Sequence, residues 1–448
     1  MAKKAAEKSA KELSEMLLNP RKNGFFKVTD EKIEKADKFC EGYKAFLNSA
    51  KTERESVEYA VAAAEKHGFV PFDPKHKYAA GDKVYYNNRG KAICLAIMGK
   101  EGCKNGVRIA AAHIDNPRLD LKPIPLYESS EMAYLKTHYY GGIKKYQWTA
   151  IPLAMHGVVV KSDGTVIKVC IGEEAGDPQF TITDILPHLG QDQATKPLGT
   201  AFTGEDLNIL IGSRPVRDEE AKDAYKLNIM RLLNEKYGIV EADLISAEIE
   251  FVPAFKAVDI GFDRSLVGAY GHDDRVCSYP AATSLFDLTE TPEHTGVCLL
   301  VDKEEIGSDG VTGMQSHAFD TFMADLCRAQ DVLLDECFEN SVCLSADVCN
   351  AFDPNYPEVS EKRNDARANC GFALVKYTGA RGKSGTSDAT AELMARIRCI
   401  FDKAGIIWQT GQLGRVDQGG GGTVAMYLAN RNIDTVDAGV PVLSMHAP

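Results

Sequence analysis

The chain has 448 residues, of which 44% are hydrophobic and 26% charged, and its formal net charge at pH 7 is −12. This length predicts two or three domains with a large buried core. The acidic balance and the absence of long basic runs argue against nucleic-acid binding, and no apolar run approaches the ~18 to 20 residues of a membrane span.

The twelve cysteines are scattered along the chain, and most of them lie in apolar stretches. No CxxC pair has the spacing of a zinc ribbon. Residues 1–6 contain no apolar core of the kind that a signal peptide needs. Together these observations predict reduced, buried thiols and a cytoplasmic location.

Spaced apolar residues among many charges predict helices at the start of the chain, and Thr29 with the acids after it has the pattern of a helix start. Two β-type runs around a polar turn then predict a hairpin. A further buried strand runs directly into His113 and Asp115. The predicted elements are helices over 9–18 and 29–66, a hairpin over 83–98 and a strand over 107–112.

The pattern changes after residue 121 to β-type alternation with Pro and Gly breaks, a turn at 161–165 and one charged helical stretch at 219–236. This segment has few of the strand-then-acid signals that occur on either side of it. We therefore predict an inserted β-rich domain over 121–248, with the main domain formed by 1–120 and 249–448.

Strands and helices alternate in the last part of the chain. The predicted strands are 297–302, 342–347, 372–377, 406–409 and 440–445, and the predicted helices are 277–288, 318–338, 387–404 and 423–430. This alternation predicts the α/β class, as a sandwich with a largely parallel central sheet.

Histidine, aspartate or glutamate follows five of the predicted strands or turns. These residues are His113 with Asp115, Asp273 with Asp274, Glu304 with Glu305, Asp347, and His446. Sites in open α/β sheets form at the carboxyl ends of strands, so we expect these side chains to meet. Taken singly, each has a structural explanation as well, because acids also cap helices and turns.

Two histidines with several carboxylates suit two zinc-like ions, and one shared carboxylate can bridge them. Such a pair of ions can act on a carbonyl and an attacking water together. One carboxylate must stay off the metals to accept a proton, so Glu304 and Glu305 fit a division into base and ligand. The spacing of His113 and Asp115 puts both side chains on one side of a strand, where Asp115 could hold the second imidazole nitrogen.

Four consecutive glycines, 419–422, precede a predicted helix. The run lacks the lysine of a phosphate-binding loop. Close approach of a substrate to the backbone at Gly420 and Gly421 is the interpretation we favour.

As a set, these motifs resemble the aspartyl aminopeptidase family of two-metal aminopeptidases. The matching stretches are 112–119, 272–275, 302–308, 345–347 with 353–356, and 443–446. The resemblance implies that His113 and Asp347 hold one metal, that Glu305 and His446 hold the other, and that Asp273 bridges them. It also implies that Glu304 is the general base and that Asp115 orients His113.

The resemblance further implies a metallopeptidase α/β/α sandwich, interrupted by a β-rich domain that serves as dimerisation contact and lid. Two divalent ions per subunit are expected, zinc first, with cobalt or manganese as alternatives. The expected assembly is a tetrahedral dodecamer acting on peptides. Members usually continue past the terminal histidine motif into another helix, so further residues are expected after Pro448.

Several positions depart from the family pattern. Asp274 stands where the family often has asparagine, and a histidine found in members that act on acidic residues is missing from 151–156. Lys376, Arg381 and Lys383 are the candidates for binding an acidic side chain, but none matches the family motif cleanly. The preferred N-terminal residue of the substrate therefore stays open.

Three hypotheses follow from the sequence. The first is a metallo-aminopeptidase that removes N-terminal residues from peptides with two metals and a Glu304 base. The second is another two-metal peptidase or amidohydrolase, such as a carboxypeptidase. The third is a non-catalytic homologue, which we would expect to show a broken ligand set.

Overall fold

A computed structural model of the chain describes residues 8–448, and the expectation about a signal peptide in residues 1–6 lies outside them. The helices are α1 (Ala10–Leu17), α2 (Asp30–Ser49), α3 (Glu53–Lys66), α4 (Gln191–Ala194), α5 (Leu198–Ala201), α6 (Ala224–Tyr237), α7 (His272–Phe286), α8 (Ala318–Arg328), α9 (Leu334–Glu339), α10 (Ala391–Ala404) and α11 (Ala425–Ala429). Within the described range, no helix is both long and apolar enough to cross a bilayer.

The strands are β1 (Val70–Pro71), β2 (Lys83–Asn88), β3 (Ala92–Ile97), β4 (Arg108–His113), β5 (Arg118–Ser129), β6 (Met132–Tyr140), β7 (Leu153–Val160), β8 (Val166–Ile171), β9 (Ile209–Gly212), β10 (Ala247–Pro253), β11 (Val258–Ile260), β12 (Leu266–Gly268), β13 (Gly296–Val301), β14 (Val342–Ser345), β15 (Cys349–Asn350), β16 (Phe372–Val375), β17 (Gly379–Ala380), β18 (Trp408–Thr410), β19 (Gly420–Gly421), β20 (Asp434–Gly439) and β21 (Pro441–Val442).

The central sheet has nine strands in the order β1-β2-β3-β13-β4-β14-β20-β16-β18. The strands β13, β4, β14 and β20 run parallel to one another, whereas β2 with β3, β3 with β13, and β16 with β20 are antiparallel. The α/β class is therefore confirmed, but the sheet is mixed. The hairpin β2–β3 introduces antiparallel pairs because a short turn can join only antiparallel neighbours.

Helices cover both faces of this sheet, because its central strands bury side chains on each side. One face packs against α3, α7 and α10, through residues such as Val57, Leu285 and Leu393. The other packs against α8, α9 and α11, through residues such as Phe322 and Phe338. This arrangement leaves the carboxyl ends of the parallel strands open at one edge of the sheet.

A second sheet of six strands has the order β8-β7-β10-β5-β6-β9. Its core contains Trp148, Leu153 and Phe251, and the apolar side of α6 packs against it. A group of charges, most of them buried or half-buried, joins this sheet to α3. We call it the junction cluster, and it consists of Lys51, Glu55, His156, Glu173 and Lys256.

Three predicted elements differ in the structure. The helix predicted over 29–66 is two helices, because Thr52 caps a new start with a capping box. The helix predicted over 318–338 is also two, and Asp331 between them has a φ of 55°. The last strand of the central sheet is β20, six residues before the predicted one, because Asp434 and Asp437 concealed its buried pattern.

Candidate metal centre

The residues that follow the strands meet at the carboxyl edge of the central sheet. His113 is the last residue of β4, and Asp347 lies two residues after β14. Glu304 and Glu305 form a single 3₁₀ turn after β13, where Lys303 and Gly307 adopt positive φ and bend the chain. The two remaining members are Asp273, at the start of α7, and His446, in the loop after β21.

Asp273 lies between the two histidines. Its Oδ1 is 3.0 Å from Nε2 of His113, and its Oδ2 is 3.0 Å from Nε2 of His446. The same nitrogen of His446 is 3.4 Å from Oε1 of Glu305. One carboxylate thus faces two separate imidazoles with one oxygen each, which is the arrangement expected of a bridging ligand.

Three groups of three facing ligand atoms lie around this bridge; one consists of His113, Glu304 and Glu305, and the other two contain no atom of Glu304. In one, atoms of Asp273, Glu305 and His446 lie within 4.8 Å of one another. In the other, atoms of His113, Asp274 and Asp347 do so. The motif pattern assigned no role to Asp274, and its closeness to His113 and Asp347 follows from the backbone path at the start of α7.

Both histidines direct their Nε2 atoms toward this space, where each faces an oxygen of Asp273. The Nδ1 of His113 donates to the backbone carbonyl of Asp115 at 3.0 Å, and the Nδ1 of His446 donates to the carbonyl of Gly142 at 2.8 Å. A hydrogen bond from Nδ1 leaves the lone pair on Nε2 for a metal. The hydrogen bonds therefore set the tautomer that a ligand needs.

The carboxylate of Asp115 is fully buried and receives several donors. The backbone N–H groups of Glu304 and Glu305 donate to it at 3.1 and 3.2 Å, and the hydroxyl of Tyr140 donates at 2.7 Å. Its Oδ1 is also 3.3 Å from Nδ1 of His113. Asp115 thus connects the imidazole to the turn that carries both glutamates.

The carboxyl groups here exceed the positive charge that the protein supplies. Burial raises the pKa of Glu304 to about 7 and raises the pKa values of Glu305 and Asp347 well above the ordinary range. Burial acts in the same direction on Asp273, but hydrogen bonds with His113 and His446 lower its pKa. Concentrated carboxylates of this kind are costly without a cation.

The donor set fits divalent metals. Oε1 of Glu305 and both oxygens of Asp274 are buried, and no protein group donates a hydrogen bond to them. Imidazole nitrogens and carboxylate oxygens are the ligands of zinc sites. These oxygens are therefore available to a metal ion, and the two groups that contain no atom of Glu304 leave room for two ions.

Two further residues of the site come from the segment that contains the second sheet. Tyr140 is the last residue of β6, and its hydroxyl orients Asp115. Gly142 follows two residues later and holds His446. Neither residue carries a sequence signal, because a tyrosine at a strand end and a glycine in a loop are common and acquire this role only through the packing of the two sheets.

A cavity of about 430 Å³ opens beside the metal centre. Gly420 and Gly421 line it, together with apolar side chains that include Val375, Leu413 and Met426. Among the described residues that line this cavity there is no lysine or arginine.

The three predicted basic residues lie elsewhere. The ammonium groups of Lys376 and Lys383 pair with Asp388 at 2.6 and 3.0 Å. Arg381 and Lys383 line a smaller neighbouring cavity of about 50 Å³. The structure does not bring these side chains into the large cavity, so they are not placed beside the metal centre.

The chain matches a known family of metallopeptidases over most of its length. The family model described as Aminopeptidase I zinc metalloprotease (M18) matches residues 46–448. The Probable M18 family aminopeptidase 1 of Clostridium acetobutylicum is 50% identical over 440 residues, which are 96% of this chain and 94% of that protein.

Solved structures agree on the fold. The crystal structure of an M18 family aminopeptidase from Thermotoga maritima is 44% identical, with a TM-score of 0.91, and the match covers 96% of this chain and 95% of that one. The dodecamer of Saccharomyces cerevisiae mApe1 is 23% identical, with a TM-score of 0.73 over 91% of each chain, and shares the fold.

Proposed function

Because this chain belongs to the M18 family of zinc metallo-aminopeptidases, we propose that it uses two metal ions per subunit and Glu304 as the general base. The family selects the aminopeptidase among the three hypotheses above. The observation that carries the two-metal proposal is Asp273, whose oxygens each lie 3.0 Å from a different histidine.

His113 and Asp347 would hold one ion, Glu305 and His446 the other, and Asp273 would bridge them. Asp274 lies close enough to the first group to take part. When bound, the ions would polarise the peptide carbonyl, activate water and stabilise the oxyanion. Zinc suits this mixed nitrogen and oxygen set, and cobalt or manganese are the alternatives.

Glu304 would take the proton of the attacking water as the water adds to the carbonyl carbon. The C–N bond then breaks as Glu304 passes this proton to the leaving amine. Its carboxylate oxygen Oε2 lies 3.8 Å from Nε2 of His113, so the base stands beside the metal ligands. Asp115 positions Glu304, because the Asp115 carboxylate accepts a hydrogen bond from the backbone N–H of Glu304.

The substitution Glu304→Gln tests the base. The amide keeps the shape of the side chain but cannot accept the proton, so we expect kcat to fall by roughly 10² to 10⁴-fold. Metal content, measured by elemental analysis of the same samples, should not change. The control is Glu392→Gln, an exposed glutamate on α10, and near-normal kcat in Glu304→Gln would refute the assignment.

We also propose that the enzyme prefers neutral N-terminal residues over acidic ones. Away from the metal ligands, the cavity has apolar walls and contains Asp437, a buried carboxyl group on β20, with no lysine or arginine among its described lining residues. An acidic side chain would enter without a lysine or arginine to pair with, which is unfavourable. Lys376 and Lys383 already pair with Asp388.

A panel of aminoacyl substrates tests this preference. Leucyl and methionyl substrates should have kcat/KM values at least about tenfold higher than aspartyl and glutamyl ones, a difference of about 1.4 kcal/mol. The variant Asp437→Asn should narrow the gap, since it removes one like charge. A panel in which aspartyl substrates are best would refute the preference while leaving the metal assignment intact.

The assembly, the domain division and the location are further parts of the proposal. The fold of the yeast mApe1 dodecamer and the exposed Leu186, Leu189 and Leu198 support a homo-oligomer, as a tetrahedral dodecamer. The six-stranded sheet supports an inserted dimerisation and lid domain over 121–248, with the catalytic domain in 1–120 and 249–448. A cytoplasmic location stays a prediction. Native mass spectrometry should give twelve copies, and a monomer would contradict the assembly.

A further inference from the structure

Three cysteines from separate parts of the chain meet in the core between the central sheet and the helices α8 and α9. Cys103 lies in the loop between β3 and β4, Cys327 in the last turn of α8, and Cys337 in α9. Their sulfur atoms all lie within 4.8 Å of one another. Each residue is 0 to 1% exposed, and none forms a disulfide.

This cysteine cluster lies at the end of the sheet opposite the metal centre. The loop that carries Cys103 leads into the start of β4, and α9 leads through Ser341 into the start of β14. The N–H of Val107 donates to Ser341 Oγ at 2.9 Å, and this hydroxyl donates to the carbonyl of Cys337 at 2.7 Å. A six-residue strand spans roughly 20 Å, so the cluster is separate from the catalytic residues.

We propose that Cys103, Cys327 and Cys337 bind one thiophilic divalent metal ion, zinc in the first place, as a structural site. Two sulfurs bound to zinc at about 2.3 Å lie roughly 3.8 to 4.0 Å apart, which the cluster reaches with small side-chain rotations. Thiolates select soft ions such as zinc over magnesium or calcium. On binding, the three thiols lose their protons to solvent and three sulfur–metal bonds form.

The surroundings of the cluster match a thiolate site. Three thiolates with one zinc ion carry a net charge of −1, which favours a donor nearby. Gln330 supplies it, because its Nε2 lies 3.5 Å from Cys103 Sγ, while its Oε1 accepts the backbone N–H of Cys103 at 2.8 Å. The amide therefore holds the loop and faces a sulfur with its positive end.

The closed geometry indicates a structural role. All three ligands are buried, so a substrate cannot reach an ion bound here, whereas a catalytic zinc site keeps a position open to water or substrate. An ion here would tie residues 99–106 to α8 and α9. A disulfide is a poorer explanation, because it would leave the third sulfur unpaired. Over residues 8–448, no other group of three facing ligands consists of cysteines alone.

Cobalt tests the site because cobalt bound to thiolates absorbs in the near ultraviolet through sulfur-to-metal charge transfer. Cobalt bound to the nitrogen and oxygen ligands of the catalytic centre does not show this band. The full-length protein is produced in medium in which cobalt replaces zinc. We expect a charge-transfer band that corresponds to one cobalt ion per chain. The band should persist in Asp273→Ala, so the result does not depend on the proposed catalytic metals.

The variants Cys103→Ala and Cys337→Ala should each lose the band and about one metal equivalent per chain. The matched control is Cys298→Ala, which removes an equally buried thiol on β13 outside the cluster. If the cluster variants do not fold, X-ray absorption of the wild-type zinc protein decides, since it must show sulfur neighbours. The absence of sulfur neighbours or of the band in wild type, or a band that survives in both variants, overturns the proposal.

Discussion

The metal centre and the junction cluster are both largely buried groups of charges, but their charges balance differently. The metal centre combines five carboxyl groups with two imidazoles, and these are Asp273, Asp274, Glu304, Glu305, Asp347, His113 and His446. The junction cluster combines two carboxylates with two lysines and one histidine. The first has an excess of negative charge, and the second does not.

The pKa values follow this difference. In the junction cluster, burial raises the pKa of Glu173, but hydrogen bonds from His156, Lys256 and Lys51 lower it to about 2. In the metal centre, burial raises the pKa values of Glu305 and Asp347, and the two imidazoles do not offset it. A buried charge cluster that is neutralised by its own residues stabilises the fold, whereas one that is not neutralised indicates a cation-binding site.

Removal of metal should show the contrast most strongly. A chelator takes the cations from a site that cannot replace them, so we expect peptide hydrolysis to fall by roughly a thousandfold or more. Added zinc should restore hydrolysis. The measurement is the hydrolysis rate, with the metal content of the same samples determined by elemental analysis. The junction cluster contains its own cations, and the variant His156→Gln should respond to the chelator as wild type does. Full activity in metal-free protein would contradict the assignment.

Lys51→Ala breaks the balance of the junction cluster. Lys51 is 2% exposed, and its ammonium group donates to Glu173 Oε1 and to the carbonyls of Pro253 and Phe255. Its removal leaves a buried carboxylate with fewer partners, so the free energy of unfolding should fall by about 3 to 5 kcal/mol. Urea denaturation measures this loss.

The control for that variant is Lys35→Ala, whose partner Glu31 is exposed. Exposed pairs contribute at most about 1 kcal/mol, so its stability should stay near that of wild type. The kcat/KM of folded Lys51→Ala should equal that of wild type. Equal stability of the two variants would show that the junction cluster does not stabilise the protein.

Tyr140→Phe tests how the second sheet acts on the metal centre. The change removes only the hydroxyl that donates to Asp115 at 2.7 Å. Since groups that hold a ligand typically contribute 10 to 100-fold, we expect kcat/KM or zinc affinity to fall by about that factor. The measurement is kcat/KM across zinc concentrations, with Tyr127→Phe on β5 as the control, and unchanged values would argue against this role.

His156→Gln should have the smallest effect, and it should depend on pH. Burial lowers the pKa of His156, but hydrogen bonds with Cys170, Glu173 and Glu55 raise it to about 11. A folded pKa above the unfolded value of about 6.5 means that the charged form stabilises the fold fully below that pH. This contribution to stability is lost as the pH rises toward 11. The other charged groups that face His156 through a shared partner are Lys51 and Lys256, which pair with Glu173 as His156 does.

Chemical denaturation at pH 6, 8 and 10 measures that effect. The variant should be less stable than wild type by about 1 to 2 kcal/mol at pH 6. The difference should shrink as the pH rises to 10, because above a pH of about 6.5 the unfolded chain releases the proton that folded wild type still binds. A difference that does not change with pH would show that His156 acts through packing alone.

The sequence was most informative where one short segment contains a whole signal. Buried runs such as residues 297–301 and 107–112 predicted strands, and the polar residues that follow them lie together in the structure as expected. The helix predicted over 387–404 is α10 in the structure, and it begins four residues later, at Ala391, where Thr390 caps it. Strand 440–445 was misplaced because the true strand, β20, contains Asp434 and Asp437.

By itself, the sequence determined the α/β class, the family and the residues that meet at the carboxyl edge of the sheet, because periodicity and strand-end polarity are local properties. Only the tertiary structure decided that Tyr140 and Gly142 reach the metal centre and that three distant cysteines meet. These contacts join residues between 10 and 304 positions apart, such as Cys327 with Cys337 and Gly142 with His446. Chain packing brings them together, and no local pattern encodes it.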